Sequence, residues 1–248
     1  CWSLVVAFPV WTMLVNSFKE KRDIFKSPFT IPETPTIEGY QNALVKGRFD
    51  LYFRNSVFVT IVSLVLILFL GSLAAYAIAS WKSRVSNGIY FIFVAGLLIP
   101  IRLGSINIIQ QVKALGLIDS LFGLIPIYVA MGVPIAIMVL TTYIRSLPQD
   151  LMDSARIDGA SEWMIYYKIT LPLIRPALST VAIYNMIPIW NDFWFPLILI
   201  RSKKFRTVPL GVSLLFGQYQ TNWTNILASL SLASIPVIIL YVFKFSVS

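Results

Sequence analysis

The densest grouping of residues able to do chemistry lies in 146–172, where Asp150, Asp153, Arg156, Asp158 and Glu162 sit among Ser154, Ala155, Gly159, Ala160 and Ser161. Carboxylates and a guanidinium so spaced suit charge-assisted hydrogen bonds to another protein surface. They do not make a covalent catalyst. The chain has no histidine, which excludes imidazole ligation of haem or zinc and any serine or cysteine triad with a histidine base. No carboxylate cluster replaces it, so no catalytic constellation for a membrane enzyme is visible. Cys1 is the single cysteine, which rules out an internal disulfide. No Gly-x4-Gly-Lys-Ser/Thr phosphate loop occurs, so the chain cannot hydrolyse ATP itself.

Two short helices must position these groups. The pattern predicts one over 149–157, a stop at Gly159, and a second that starts with Ser161 as N-cap and Glu162 in the first turn. The second is expected to end near Leu171 and Pro172. Asp150, Asp153 and Arg156 recur every three residues and give the first helix a charged face, opposite Leu151, Met152 and Ala155. Such a helix suits a partner protein.

The rest of the chain is apolar. Of 248 residues, 57% are hydrophobic and 12% charged, and the mean hydropathy is +0.77. Residues 1–18, 55–81 and 120–144 contain no Asp, Glu, Lys or Arg, each close to or above the roughly 20 residues a helix needs to cross a bilayer. We expect an all-α polytopic bundle of six spans forming one membrane domain over 1–248: about 1–16, 56–80, 89–109, 121–144, 177–200 and 226–245. The third is interrupted by Pro100, Arg102 and Gly104, a break tolerated at membrane depth where protein or a wet cavity covers it. Because apolar runs start at Cys1 and stop near Ser248 without flanks, a piece is expected to be missing at each terminus, and no signal peptide is judged.

At 153–172 the residues resemble a known family. Asp153-Ser154-Ala155, three residues, Gly159, nine residues, then Ile169-Thr170-Leu171-Pro172 reproduce the spacing of the EAA loop, Glu-Ala-Ala-x3-Gly-x9-Ile-x-Leu-Pro, of ATP-binding cassette importer permeases. Asp153 and Ser154 depart from the usual Glu and Ala, one keeping charge and the other size. Gly39-Tyr40-x-Asn42-Ala43-Leu44, Phe53-x-Asn55-Ser56, 115–120 and Trp190-Asn191-Asp192 look like the carbohydrate-uptake branch, similar to the smaller maltose permease subunit. The resemblance implies a bacterial cytoplasmic (inner) membrane location, two cytoplasmic ATPase subunits, a second homologous permease and an extracytoplasmic solute-binding protein. ATP and Mg would be bound by the ATPase subunits, with no cofactor on this chain. It makes Asp153, Ser154, Ala155, Arg156, Asp158, Gly159, Ala160, Ile169, Leu171 and Pro172 the expected ATPase-coupling residues. Of these, Ala155, Gly159 and Ala160 would allow close backbone approach, and Asp153, Arg156 and Asp158 would bond to the partner.

Polar groups at membrane depth are costly and usually face a cavity or a partner helix. Asn185, Asn191 and Asp192, beside Tyr184, Trp190 and Trp194, are therefore substrate-path candidates, with flat apolar faces that suit sugar rings. Packing against the partner permease explains them equally well. Arg102 is a further candidate. The poverty of intramembrane acids argues against an ion-coupled secondary transporter. With the EAA-like loop cytoplasmic, thirteen Lys or Arg fall outside and seven inside, against the positive-inside rule, which is weakest for long loops. The outer excess admits two readings: a vestibule that concentrates an acidic sugar such as alginate, or charges that meet lipid headgroups or an acidic binding protein.

Overall fold

The computed structural model describes the backbone of residues 2–81, 83–215 and 222–247; Cys1, the expected start of the first apolar segment, and Lys82 of the basic turn after the second lie outside the described residues. Among the described residues every regular element is helical: α1 (Trp2–Asn16), α2 (Lys21–Lys26), α3 (Glu38–Gln41), α4 (Phe49–Ser80), α5 (Arg84–Gly96), α6 (Ser105–Ala114), α7 (Ile125–Ser146), α8 (Gln149–Ile157), α9 (Glu162–Ile165), α10 (Leu171–Leu173), α11 (Arg175–Trp190), α12 (Trp194–Leu199), α13 (Val208–Ser213) and α14 (Trp223–Val247). Among the described residues two helical stretches, Phe49–Ser80 and Leu121–Ser146, are long and apolar enough to cross a membrane. The pair formed by Arg84–Gly96 and Ile101–Ala114, bent by 81°, makes a third if it counts as one span. Ala7–Asn16 and Trp223–Ile239 are shorter apolar stretches.

One packing unit comprises residues 58–190. Its helices approach through small residues, as expected where helices pack by shape rather than by expelling water. A Cβ on Gly71 of α4 would stand 2.5 Å from the Ala136 Cβ of α7. A Cβ on Gly132 of α7 would collide with the Ile67 side chain of α4 and lie 2.6 Å from Oδ1 of Asn185 in α11. Three helices therefore share one tight crossing. At the other end of α7, Arg145 donates to Oδ1 of Asn87 at 2.9 Å and lies over the Tyr90 ring, tying α7 to α5.

The other unit comprises residues 1–57 and 191–248. Several residues of the resemblance prove to be its pins. Gly39 lets α3 meet α14, since a Cβ there would sit 2.7 Å from the Thr224 carbonyl oxygen. Asn55 donates through Nδ2 to the carbonyls of Lys204 and Arg206, both at 2.9 Å, and Ser56 Oγ accepts from the Val208 N–H at 2.8 Å. Phe49, Tyr52, Val208 and Val212 pack beneath these bonds. These contacts explain why α4 begins seven residues before the expected start at residue 56. Asn55→Ala removes both donors and leaves two carbonyls short of a partner, so a loss of about 1–3 kcal/mol is expected. Faster trypsin cleavage after Lys203 and Lys204 in the purified protein is the measurement.

The fifth apolar segment is not the single helix over 177–200 that its hydropathy predicts. It is divided at 191–193 into α11 and α12. Asp192 favours the restart, since its carboxylate accepts from the N–H groups of Trp194 at 3.3 Å and Phe195 at 3.1 Å at the start of α12. A second correction concerns charge. Lys19, counted among the thirteen cations expected outside, is 1% exposed, and its ammonium donates to the Ser27 carbonyl at 2.6 Å. It is spent inside its own loop and adds little surface charge.

Candidate coupling loop and polar positions

The expected loop forms over the expected limits. Helix α8 starts after Pro148, with Asp150 in its first turn and Arg156 in its last, the order the helix dipole favours. It ends in a Schellman motif: Gly159 N–H donates to the Arg156 carbonyl at 3.0 Å and Ala160 N–H to the Ala155 carbonyl at 2.9 Å. Gly159 has φ +80°, the left-handed region that favours glycine. No atom outside its immediate neighbours lies within 4 Å of where its Cβ would be. Within this chain the glycine is required for the turn and not for packing. Ser161 then caps α9, its hydroxyl accepting from the Met164 N–H at 3.3 Å.

The exposed and buried faces of α8 differ from the sequence pattern. Met152 is 2% exposed, but Leu151, which shares the expected apolar face, is 48% exposed, and Ile157 is 86% exposed. Across the turn Trp163, Met164 and Tyr167 are exposed as well. Helix α8 thus buries one side chain, Met152, and presents a bare apolar surface beside the charges of Asp150, Asp153 and Asp158. By contrast α9 and the π turn after it are firmly seated: Ile165 and Thr170 are fully buried, and the Tyr166 hydroxyl bonds Oγ of Ser72 in α4 at 2.8 Å. Ile169 and Leu171 are half-buried and Pro172 is exposed where this seated stretch runs towards α11.

The Arg156 guanidinium, which the resemblance implies bonds to a partner, is also engaged inside the chain. Nε donates to Oε1 of Glu162 at 2.7 Å, Nη2 to Oε2 at 3.3 Å, and Nη1 to Oδ1 of Asp153 at 2.7 Å. The Tyr76 hydroxyl of α4 donates to the same Oε2 at 2.6 Å. Glu162 and Tyr76 were not among the expected site residues. Eighty-six positions separate them, and no local period links them.

The hydrogen bonds from Arg156 first, then from Tyr76, hold the Glu162 carboxyl below its ordinary 4.5. A carboxyl so depressed contributes stability that is whole above its unfolded-state pKa and is lost as pH falls through the lower folded value. Hydrogen exchange over 153–165 is therefore expected to stay constant from neutral pH to about 5, once corrected for the intrinsic rate, and to rise only in stronger acid. Loosening near pH 6 would contradict this.

Of the path candidates, Asn185 is 4% exposed, donates to the Val181 carbonyl at 2.9 Å, and lies against Gly132; Trp190 is 3% exposed. Both are buried within the protein. Asn191 is exposed, Trp194 is 38% exposed, and Asp192 is half-buried and engaged in the α12 cap. Arg102 is exposed in the 3-10 turn at the bend, where its carbonyl accepts from the Ser105 hydroxyl at 2.6 Å. Two of the six candidates are thus buried, and the other four are half-buried or exposed.

Residues 67–248 match the family described as binding-protein-dependent transport system inner membrane component. The chain belongs to that family. A putative ABC transporter permease protein of Caldicellulosiruptor sp. is 38% identical over 98% of this chain and 88% of its own length. A diacetylchitobiose uptake system permease protein of Streptomyces coelicolor is 32% identical over 97% of this chain and 80% of its own. The fold is that of a chain in the crystal structure of a bacterial ABC transporter involved in the import of the acidic polysaccharide alginate, with TM-score 0.84, 23% identity, and 99% and 91% of the two chains covered. The resemblance read from 153–172 to ATP-binding cassette importer permeases is thus borne out. As a member of this family the chain is a membrane component of a binding-protein-dependent transport system.

Proposed function

We propose that this chain is one of two permease subunits of an ATP-binding cassette importer that moves an oligosaccharide into the cytoplasm. The observation that carries the proposal is α8: an exposed helix with a bare apolar surface and flanking acids, ending in a glycine turn. A surface of this kind is suited to a groove on a cytoplasmic ATPase. Six spans in one domain, two ATPase subunits carrying ATP and Mg, and an outer binding protein complete the assembly. Closure of the two ATPases pushes the α8 helices of the two permeases together, and the spans respond as levers. The sugar class rests on relatives such as the diacetylchitobiose uptake permease.

Co-purification of the intact chain followed by ATPase assays tests the reading. Two ATPase subunits and a second permease are expected to come down, and one oligosaccharide with its binding protein to stimulate hydrolysis. Uptake that persists without ATP would replace the proposal with an ion-coupled transporter. Neutral and uronate oligomers offered side by side sort the two readings of the outer charge, with preference for neutral sugar removing the acidic one.

A further inference from the structure

Helix α8 poses a mechanical problem, because a lever fixed by one buried side chain, Met152, and followed by a glycine turn would swivel under load. We propose that Glu162 is the positioning residue that prevents this, joining α8 to α4 through Arg156 on one side and Tyr76 on the other. The inference rests on the coupling role proposed above and adds to it the place where force enters the spans.

The geometry has the features such a joint needs. Arg156 meets Glu162 with two N–H groups, at 2.7 and 3.3 Å, so the planar fork fixes direction as well as distance. Its third contact, to Asp153 one turn earlier, holds the guanidinium to its own helix. Glu162 stands at the start of α9, which is seated on α4 by the Ser72 to Tyr166 hydrogen bond and by the Tyr76 and Tyr166 rings, 5.4 Å apart. The Tyr76 hydroxyl closes the chain of contacts at 2.6 Å. An exposed ion pair taken alone contributes little to stability. Here the bonds tie three helices, and what they supply is orientation that packing does not.

The experiment uses the whole importer in proteoliposomes and reads substrate moved per ATP hydrolysed, which a purely structural role would leave unchanged in protein that still assembles. Glu162→Gln, Arg156→Gln and the double variant are compared, with retention of the ATPase subunits checked in each. Each single variant is expected to lower the ratio roughly fivefold to tenfold, and the double to be no worse than either, because the pair acts as one joint. Tyr76→Phe is expected to show a smaller loss. A wild-type ratio in Glu162→Gln, or losses that multiply in the double, would overturn the joint. Gly159→Asp run alongside separates the two ideas: if it uncouples while Glu162→Gln does not, only the joint fails. If Gly159→Asp also couples normally, the loop's role itself fails.

Discussion

Gly159→Asp in the assembled importer is expected to cut uptake on the order of a hundredfold while ATP hydrolysis continues. The substitution is mild within the chain itself. Space is open around the position, and aspartate is among the few residues that tolerate the left-handed conformation, at a cost of about 1–2 kcal/mol. The subunit should therefore fold and reach the membrane. The new carboxylate, however, joins Asp153 and Asp158 on the surface assigned to the ATPase, and an unpaired charge buried at an interface costs several kcal/mol. Gly159→Asn separates the two effects, since it carries the same shape and backbone strain without the charge. Uptake well above that of the aspartate variant is expected. Equal losses would place the whole effect in the turn, and no loss in either would remove the loop from its assigned role.

The second large effect is on folding. Gly132→Val places two methyl groups where even one carbon collides with Ile67 and Asn185. Both neighbours sit on other helices of the same unit, and Asn185 is held by its bond to the Val181 carbonyl, so neither withdraws freely. Overpacking of this kind costs about 1–3 kcal/mol or somewhat more, and the detergent-solubilised protein is expected to melt roughly 5–10 °C lower. Gly88→Ala in α5 is the control: no atom stands within 4 Å of its Cβ, and alanine in a helix interior is favoured over glycine by about 0.5–1 kcal/mol. Equal melting temperatures for the valine variant and the parent would mean that α4, α7 and α11 do not cross as closely as described.

What could be read from the residue order follows the range of the forces involved. The limits of α8, the stop at Gly159 and the cap at Ser161 were legible because capping acts over three or four residues. The apolar runs were legible too, but not where the helices within them end. Helix α4 starts early because Asn55, Ser56 and Tyr52 bond and pack against residues about 150 positions away, and the fifth segment breaks where Asp192 serves a helix start. The polar residues of that segment were sorted only by the fold. Asn185 is sealed against Gly132, Asp192 caps a helix, and Asn191 is exposed. Arg156 was recognised as a loop residue, but its bonds to Glu162, and through it the link to Tyr76, were not legible, since the motif spacing carries no information about Tyr76.

The turn at Gly159, with the C-terminal end of α8 already hydrogen-bonded, has a thermodynamic consequence for assembly. A docking element that must be ordered on contact spends part of its binding free energy on lost conformational freedom. Here that cost is met when the subunit folds. Association with a motor protein then needs little rearrangement of the loop, and more of the energy released by nucleotide is left to reshape the bundle.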